Sequence, residues 1–245
     1  MNIIVTENKK ELSQKACSIF ESQVRDNPKS VLGLATGSTP TGTYEELIEG
    51  YSHGNADYEN VKTINLDEYV GLGGDHPQSY RTFMEENLFR HVNIQQENTF
   101  IPDGTASELQ KECLRYEEVI ENIGPPDIQL LGIGENGHIG FNEPGSSFDT
   151  ETHVVELAAS TREANARFFD SIEDVPKQAV TMGIRSILKS KRIVLLASGE
   201  RKARAIEQLL TGEITEDFPA SALKRHDNVT LIVDKEAYQY AALRR

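Results

Sequence analysis

Apolar positions along this chain fall into two rhythms that alternate almost from end to end. Leu12, Ala16, Ile19, Phe20 and Val24 recur at the spacing of one helix face, and the VLGLAT run from Val31 to Thr36 then reads as a buried strand. Pro40 fits the first turn of a second helix through Tyr44, Leu47 and Ile48, because proline has no N–H to lose there. A strand from Val61 to Leu66 ends at Asp67 and Glu68, and helices are expected over Ser79 to Phe89 and Leu109 to Ile123. DIQLLGI, Asp127 to Ile133, is a further buried strand. Beyond it the pattern predicts a helix over Thr161 to Phe169, a strand over Arg192 to Ala197, a helix over Lys202 to Leu210 and a last strand over Val229 to Val233. Such alternation is the βαβ signature, so the expected fold class is α/β: Rossmann-like, a mostly parallel sheet with helices on both faces. Pro and Gly never cluster into a linker and no repeat is visible, so residues 1–245 are read as a single domain.

The pattern also locates the chemistry, because loops beyond the carboxyl ends of parallel strands are where such sheets bind ligands. GIGENGHIGFNEP, Gly132 to Pro144, follows the Asp127 strand and is too rich in glycine to be helical. It brings together His138, a titratable base, Asn136, a neutral hydrogen-bonding group, and Glu143, an acid. Gly132-x-Gly134-x-x-Gly137 satisfies a dinucleotide fingerprint literally, but that motif must open a helix, and Gly140, Pro144 and Gly145 follow instead. Nicotinamide binding is therefore set aside.

Two other strand ends carry polar groups. GLATGSTPTGTY, Gly33 to Tyr44, offers Gly37, Ser38 and Thr39 at a helix start, where unpaired N–H groups and the helix dipole favour an anion. Plain capping by Ser38 or Thr39 accounts for the same residues equally well. In NLDEYVGL, Asn65 to Leu72, Asp67 and Glu68 are neighbours in an extended stretch and point to opposite sides, so one of them faces a site and the two do not form a dyad. Arg162 and Arg167 in STREANARFF and Lys202 in SGERKARA supply cations on helical stretches.

Charge and composition narrow the partners. Twenty-five Lys and Arg against 39 Asp and Glu leave a formal charge of −14, a field that repels nucleic acid and anionic membranes. A small phosphorylated ligand remains compatible, since backbone N–H groups and one or two local cations act at close range. No apolar run nears the roughly 20 residues that cross a bilayer, and no leader peptide is readable. Cys17 and Cys113 lie in separate helical patterns without metal-ligand spacing, as reduced core thiols do, so a cytoplasmic location is expected. The glycosylation match at Asn228 to Thr230 is discounted because it opens a strand pattern.

Taken together and in order, GLATGSTPTGTY, NLDEYVGL, GIGENGHIGFNEPGSSF, TREANARFF and FPASAL resemble the glucosamine-6-phosphate deaminase family over nearly the whole chain. The resemblance implies conversion of glucosamine 6-phosphate and water to fructose 6-phosphate and ammonium, with neither metal nor organic cofactor. It places the enolisation base on Asp67, the ring-opening histidine on His138, its supporting glutamate on Glu143, and an orienting group on Asn136, where some members carry Asp. An amide there can orient a neighbour but cannot take up a proton. The phosphate site is implied at Gly37, Ser38, Thr39, Arg167 and Lys202. Regulated hexameric members use basic residues at positions matching His153, Val155 and Glu156; the last two bind no phosphate electrostatically, so this chain resembles the compact, unregulated branch, a monomer or small homo-oligomer. A 6-phosphogluconolactonase-like hydrolase, which needs no C2 base, and a non-catalytic sugar-phosphate sensor are the alternatives on the same scaffold.

Overall fold

In the computed structural model, which describes residues 1–166 and 169–243, seven strands form one parallel sheet. They are β1 (Asn2–Thr6), β2 (Val31–Leu34), β3 (Lys62–Asn65), β5 (Thr99–Phe100), β6 (Ile128–Gly132), β9 (Ile193–Ala197) and β10 (Val229–Asp234), in the order β1-β10-β9-β6-β2-β3-β5. Every pairing within it is parallel. Side chains alternate between faces, and each face has its own core. Leu32, Leu34, Leu130, Val194, Leu196 and Ile232 pack beneath α1 (Lys9–Asp26), α2 (Thr41–Ser52) and α3 (Tyr80–Asn87). Val31, Leu131, Leu195, Leu231 and Val233 face α4 (Leu109–Ile123), α6 (Ile184–Leu188), α7 (Ala203–Thr211) and α8 (Lys235–Ala242). Burial on both sides explains why these strands read as unbroken apolar runs.

A second sheet departs from the sequence expectation. The chain leaves β3 at Leu66 and at once begins β4 (Asp67–Tyr69), which pairs antiparallel with β8 (Gln178–Thr181); β8 pairs in turn with β7 (His153–Glu156). Leu66 joins the two sheets, its N–H donating to the Leu34 carbonyl and its own carbonyl accepting from Met182. Asp67 and Glu68 therefore begin a new strand and do not end the Val61 one. The remaining helix, α5 (Ala159–Asn165), is shorter than the Thr161 to Phe169 expectation, and residues 167–168 lie outside the described residues.

Helix starts follow local chemistry. Asn8 caps α1 by accepting from the Glu11 N–H, Ser79 caps α3 through Thr82, and Asp234 caps α8 through Ala237. Lys202 is not inside α7 as expected; it ends a 3₁₀ turn, Glu200–Lys202, immediately before it. The connections from β2 and β6 depart in opposite directions along the sheet, so the crevice beyond their carboxyl ends is the topological switch point where open α/β sheets hold ligands.

Candidate active site

A cleft of about 610 Å³ occupies that crevice. Asp67, Asn136, His138, Gly37, Ser38, Thr39 and Lys202 all line it, so the loops after β2, β6 and β9 and the start of β4 converge there. Glu143 stands behind His138 without lining the cleft, and Arg167 lies outside the described residues.

The alternation of β4 separates the two adjacent acids. Asp67 turns into the cleft, while Glu68 turns away and accepts from the N–H groups of Tyr69, Tyr80 and Arg81 at 2.9, 2.9 and 3.0 Å, satisfying the open start of α3. Burial raises the Glu68 carboxyl and those three N–H groups pull it back. Asp67 has no such compensation. Only 6% exposed, it is pushed up to about 8 by desolvation and then by the nearby Glu68 charge. A carboxylate with that affinity for protons is far more basic than one in water.

The loop from Gly132 to Pro144 faces it. Gly134 N–H donates to the His138 carbonyl at 2.9 Å, closing a tight turn, and a Cβ on Gly134 would lie 2.4 Å from the imidazole. Glycine there is a requirement of close approach. A Cβ on Gly140 would come 3.7 Å from Asp67 Oδ2, which shows how closely the loop passes the buried acid. His138 Nδ1 lies 3.4 Å from Glu143 Oε1, long for a hydrogen bond, and has no nearer partner among the described residues.

Glu143 is the best-anchored acid of the site. Asn136 Nδ2 donates to its Oε2 at 2.6 Å and Thr161 Oγ1 to its Oε1 at 2.8 Å. Burial alone would raise the carboxyl, but His138 and the Asn136 and Thr161 hydrogen bonds outweigh it and bring it down to about 2. Asn136 also accepts from the His138 backbone N–H at 3.2 Å. It therefore bridges Glu143 and the backbone of His138 and makes no bond to the imidazole.

On the opposite wall, α2 opens with no side-chain cap: Pro40 holds the cap position and Thr41 Oγ1 turns back to the Gly37 carbonyl at 3.0 Å. Among the described residues neither the N–H groups of Gly37, Ser38 and Thr39 nor the Ser38 and Thr39 hydroxyls have a hydrogen-bond partner, which removes the capping alternative. Donors left open at the start of a twelve-residue helix suit an anion. Lys202 projects into the same cleft, its ammonium made more acidic by burial and only partly restored by Glu135.

Sequence reasoning missed Thr161 and Tyr80. Tyr80 lines the cleft and stacks on Phe141 with ring planes 10° apart, and Thr161 brings α5 onto Glu143. Both lie in stretches that read as helix faces; Thr161 opens the TREANARFF motif, but neither residue type there signals a contact with the site. Among the described residues no three His, Cys, Asp or Glu side chains group to hold a metal ion.

Comparison with known proteins follows the same lines. The family described as glucosamine-6-phosphate isomerases/6-phosphogluconolactonase matches residues 6–232. A glucosamine-6-phosphate deaminase of Thermoanaerobacter sp. is 55% identical over 237 residues, 97% of this chain and 94% of that one. Glucosamine-6-phosphate deaminase 1 of Bacillus subtilis is 52% identical, with 97% and 98% covered. The solved structure of a monomeric glucosamine-6-phosphate deaminase matches with a TM-score of 0.96 at 52% identity, covering 98% of this chain and 99% of that chain. A 6-phosphogluconolactonase from Trypanosoma cruzi, at TM-score 0.79 and 23% identity over 97% and 96% of the two chains, shares the fold.

Proposed function

The chain belongs to the family of glucosamine-6-phosphate isomerases and 6-phosphogluconolactonases, and from that premise we infer that it acts as a glucosamine-6-phosphate deaminase in amino sugar metabolism. It converts glucosamine 6-phosphate and water to fructose 6-phosphate and ammonium. The observation that carries this reading is Asp67, a buried acid on the cleft wall with its pKa raised to about 8. Lactone hydrolysis has no use for a base aimed at a carbon; isomerisation requires one.

The site divides the reaction between two loops. His138, held by Glu143 as a permanent anion, passes a proton to the ring oxygen as the anomeric hydroxyl loses one, releasing the C1 aldehyde and the free C2 amine. Asp67 then removes the C2 proton, giving an enolamine, and returns a proton to C1. The resulting C2 imine takes up water and expels ammonia, leaving the C2 ketone. Gly37, Ser38, Thr39 and Lys202 hold the phosphate and so anchor the substrate in the cleft. Arg167 is retained in this role on the motif alone. The whole 1–245 chain works as one catalytic unit, in the cytoplasm and as a monomer, a reading supported by its likeness to the monomeric deaminase.

Incubation with glucosamine 6-phosphate is expected to yield ammonium and fructose 6-phosphate in equal amounts. Hydrolysis of 6-phosphogluconolactone without ammonium release would favour the lactonase reading instead.

A further inference from the structure

Lys9 occupies a place that its own helix does not favour. It is the first residue of α1, where a cation opposes the helix dipole. Although the chain carries 39 acids, Lys9 enters none of the ion pairs formed among the described residues. The two nearby acids are engaged elsewhere: Glu7 pairs with Lys235 at 2.6 Å, and Glu11 accepts from the Glu7 N–H at 2.8 Å. Lys9 Nζ instead donates to the backbone carbonyl of Ser38 at 2.7 Å, tying the start of α1 to the loop that precedes α2.

That bond acts on the far side of the same peptide. A planar trans peptide holds the Ser38 C=O and the Thr39 N–H on opposite sides, and no cis bond occurs among the described residues. Thr39 lines the cleft and Lys9 does not. With the Ser38 carbonyl held by Lys9, which lies off the cleft, the opposite side of the peptide is the one left for the Thr39 N–H to meet a phosphate. Were the peptide to rotate, it would present a carbonyl oxygen to the same anion. The ammonium also brings a full positive charge to within one peptide group of the loop, and two of its three N–H donors remain for solvent or ligand.

We propose that Lys9 is a positioning residue of the phosphate site, fixing the Ser38–Thr39 peptide so that its N–H serves the substrate phosphate. The proposal rests on the reading that this loop holds the phosphate. Lys9 is exposed, so its replacement leaves the core untouched. The test compares Lys9→Met and Lys9→Arg with the natural chain, measuring inorganic phosphate binding by calorimetry and steady-state turnover of glucosamine 6-phosphate. In Lys9→Met the phosphate Kd and the KM are expected to rise together by about fivefold to tenfold with kcat held within about twofold, and Lys9→Arg to restore both. An unchanged phosphate Kd in Lys9→Met, or a fall in kcat at constant KM, overturns the proposal. Phosphate binding is read without turnover. A natural chain that binds phosphate but releases no ammonium therefore defeats the deaminase reading while the Lys9 comparison still decides; a natural chain that binds no phosphate defeats the proposal.

Discussion

Asp67, the proposed base for the C2 proton, combines two properties that oppose each other: burial strengthens it as a base and makes its ionised form costly to the folded protein. With its folded pKa raised to about 8 from the ordinary carboxylate value, the native state holds a proton that the unfolded chain has released. The stability this contributes is complete below about pH 4 and is lost as pH rises through about 8. Asp67→Asn is therefore expected to be more stable than the natural chain at pH 9, on the order of 5 kcal/mol or roughly 10 °C or more in Tm, with the gain vanishing near pH 4; thermal melts at the two pH values check it. The same titration governs activity with the opposite sign: kcat/KM for the free enzyme rises through about pH 8 as Asp67 ionises. Glu143, brought down to about 2, stays ionised throughout and contributes no limb to that profile.

At the scale of elements, the site depends on how the chain leaves one sheet and enters another. The step from β3 to β4 at Leu66 aims Asp67 into the cleft and, one residue later, gives Glu68 to the start of α3. Glu68→Gln loses a charged acceptor of three buried N–H groups, so a destabilisation of about 1–3 kcal/mol is expected in a denaturant titration. In the loop after β6, Gly134→Ala places a methyl 2.4 Å from the imidazole. The ring must move, and kcat should fall about 100-fold while the far-ultraviolet circular dichroism spectrum is unchanged.

These elements also show what a linear reading can reach. Strands of the parallel sheet are legible where burial of both faces leaves apolar runs such as VLGL and IVLLA. The three-stranded sheet is not, because β4, β7 and β8 mix polar and apolar residues without such a run and their pairing is decided by partners far along the chain. Asp67, Asn136, His138 and Glu143 are legible as candidates because each lies within a motif next to a strand. Thr161, Tyr80 and Lys9 are not, since each acquires its role from a contact that only folding creates.

Over the whole molecule, the switch between β2 and β6 gathers the loops after those two strands and the start of β4 into one cleft built from a single chain. On the proposed monomeric reading, that cleft turns over without a partner. Sedimentation is expected to give a 27.3 kDa species, and saturation with substrate to be hyperbolic, unaltered by N-acetylglucosamine 6-phosphate. A sigmoidal curve relieved by the acetylated sugar would contradict the unregulated reading. At the positions that the resemblance matches to regulatory residues, Val155 packs in a small apolar cluster and Glu156 accepts from Gln178, leaving His153 as the one basic group of the three.

The central claim is that one buried carboxylate moves the carbon-bound proton. It is tested most directly by following ammonium release from glucosamine 6-phosphate with the natural chain and with Asp67→Asn, while substrate binding to each is measured by calorimetry. The account predicts that Asp67→Asn binds substrate with nearly the natural affinity and loses about 100-fold or more in kcat. Turnover by Asp67→Asn at the natural rate would contradict it.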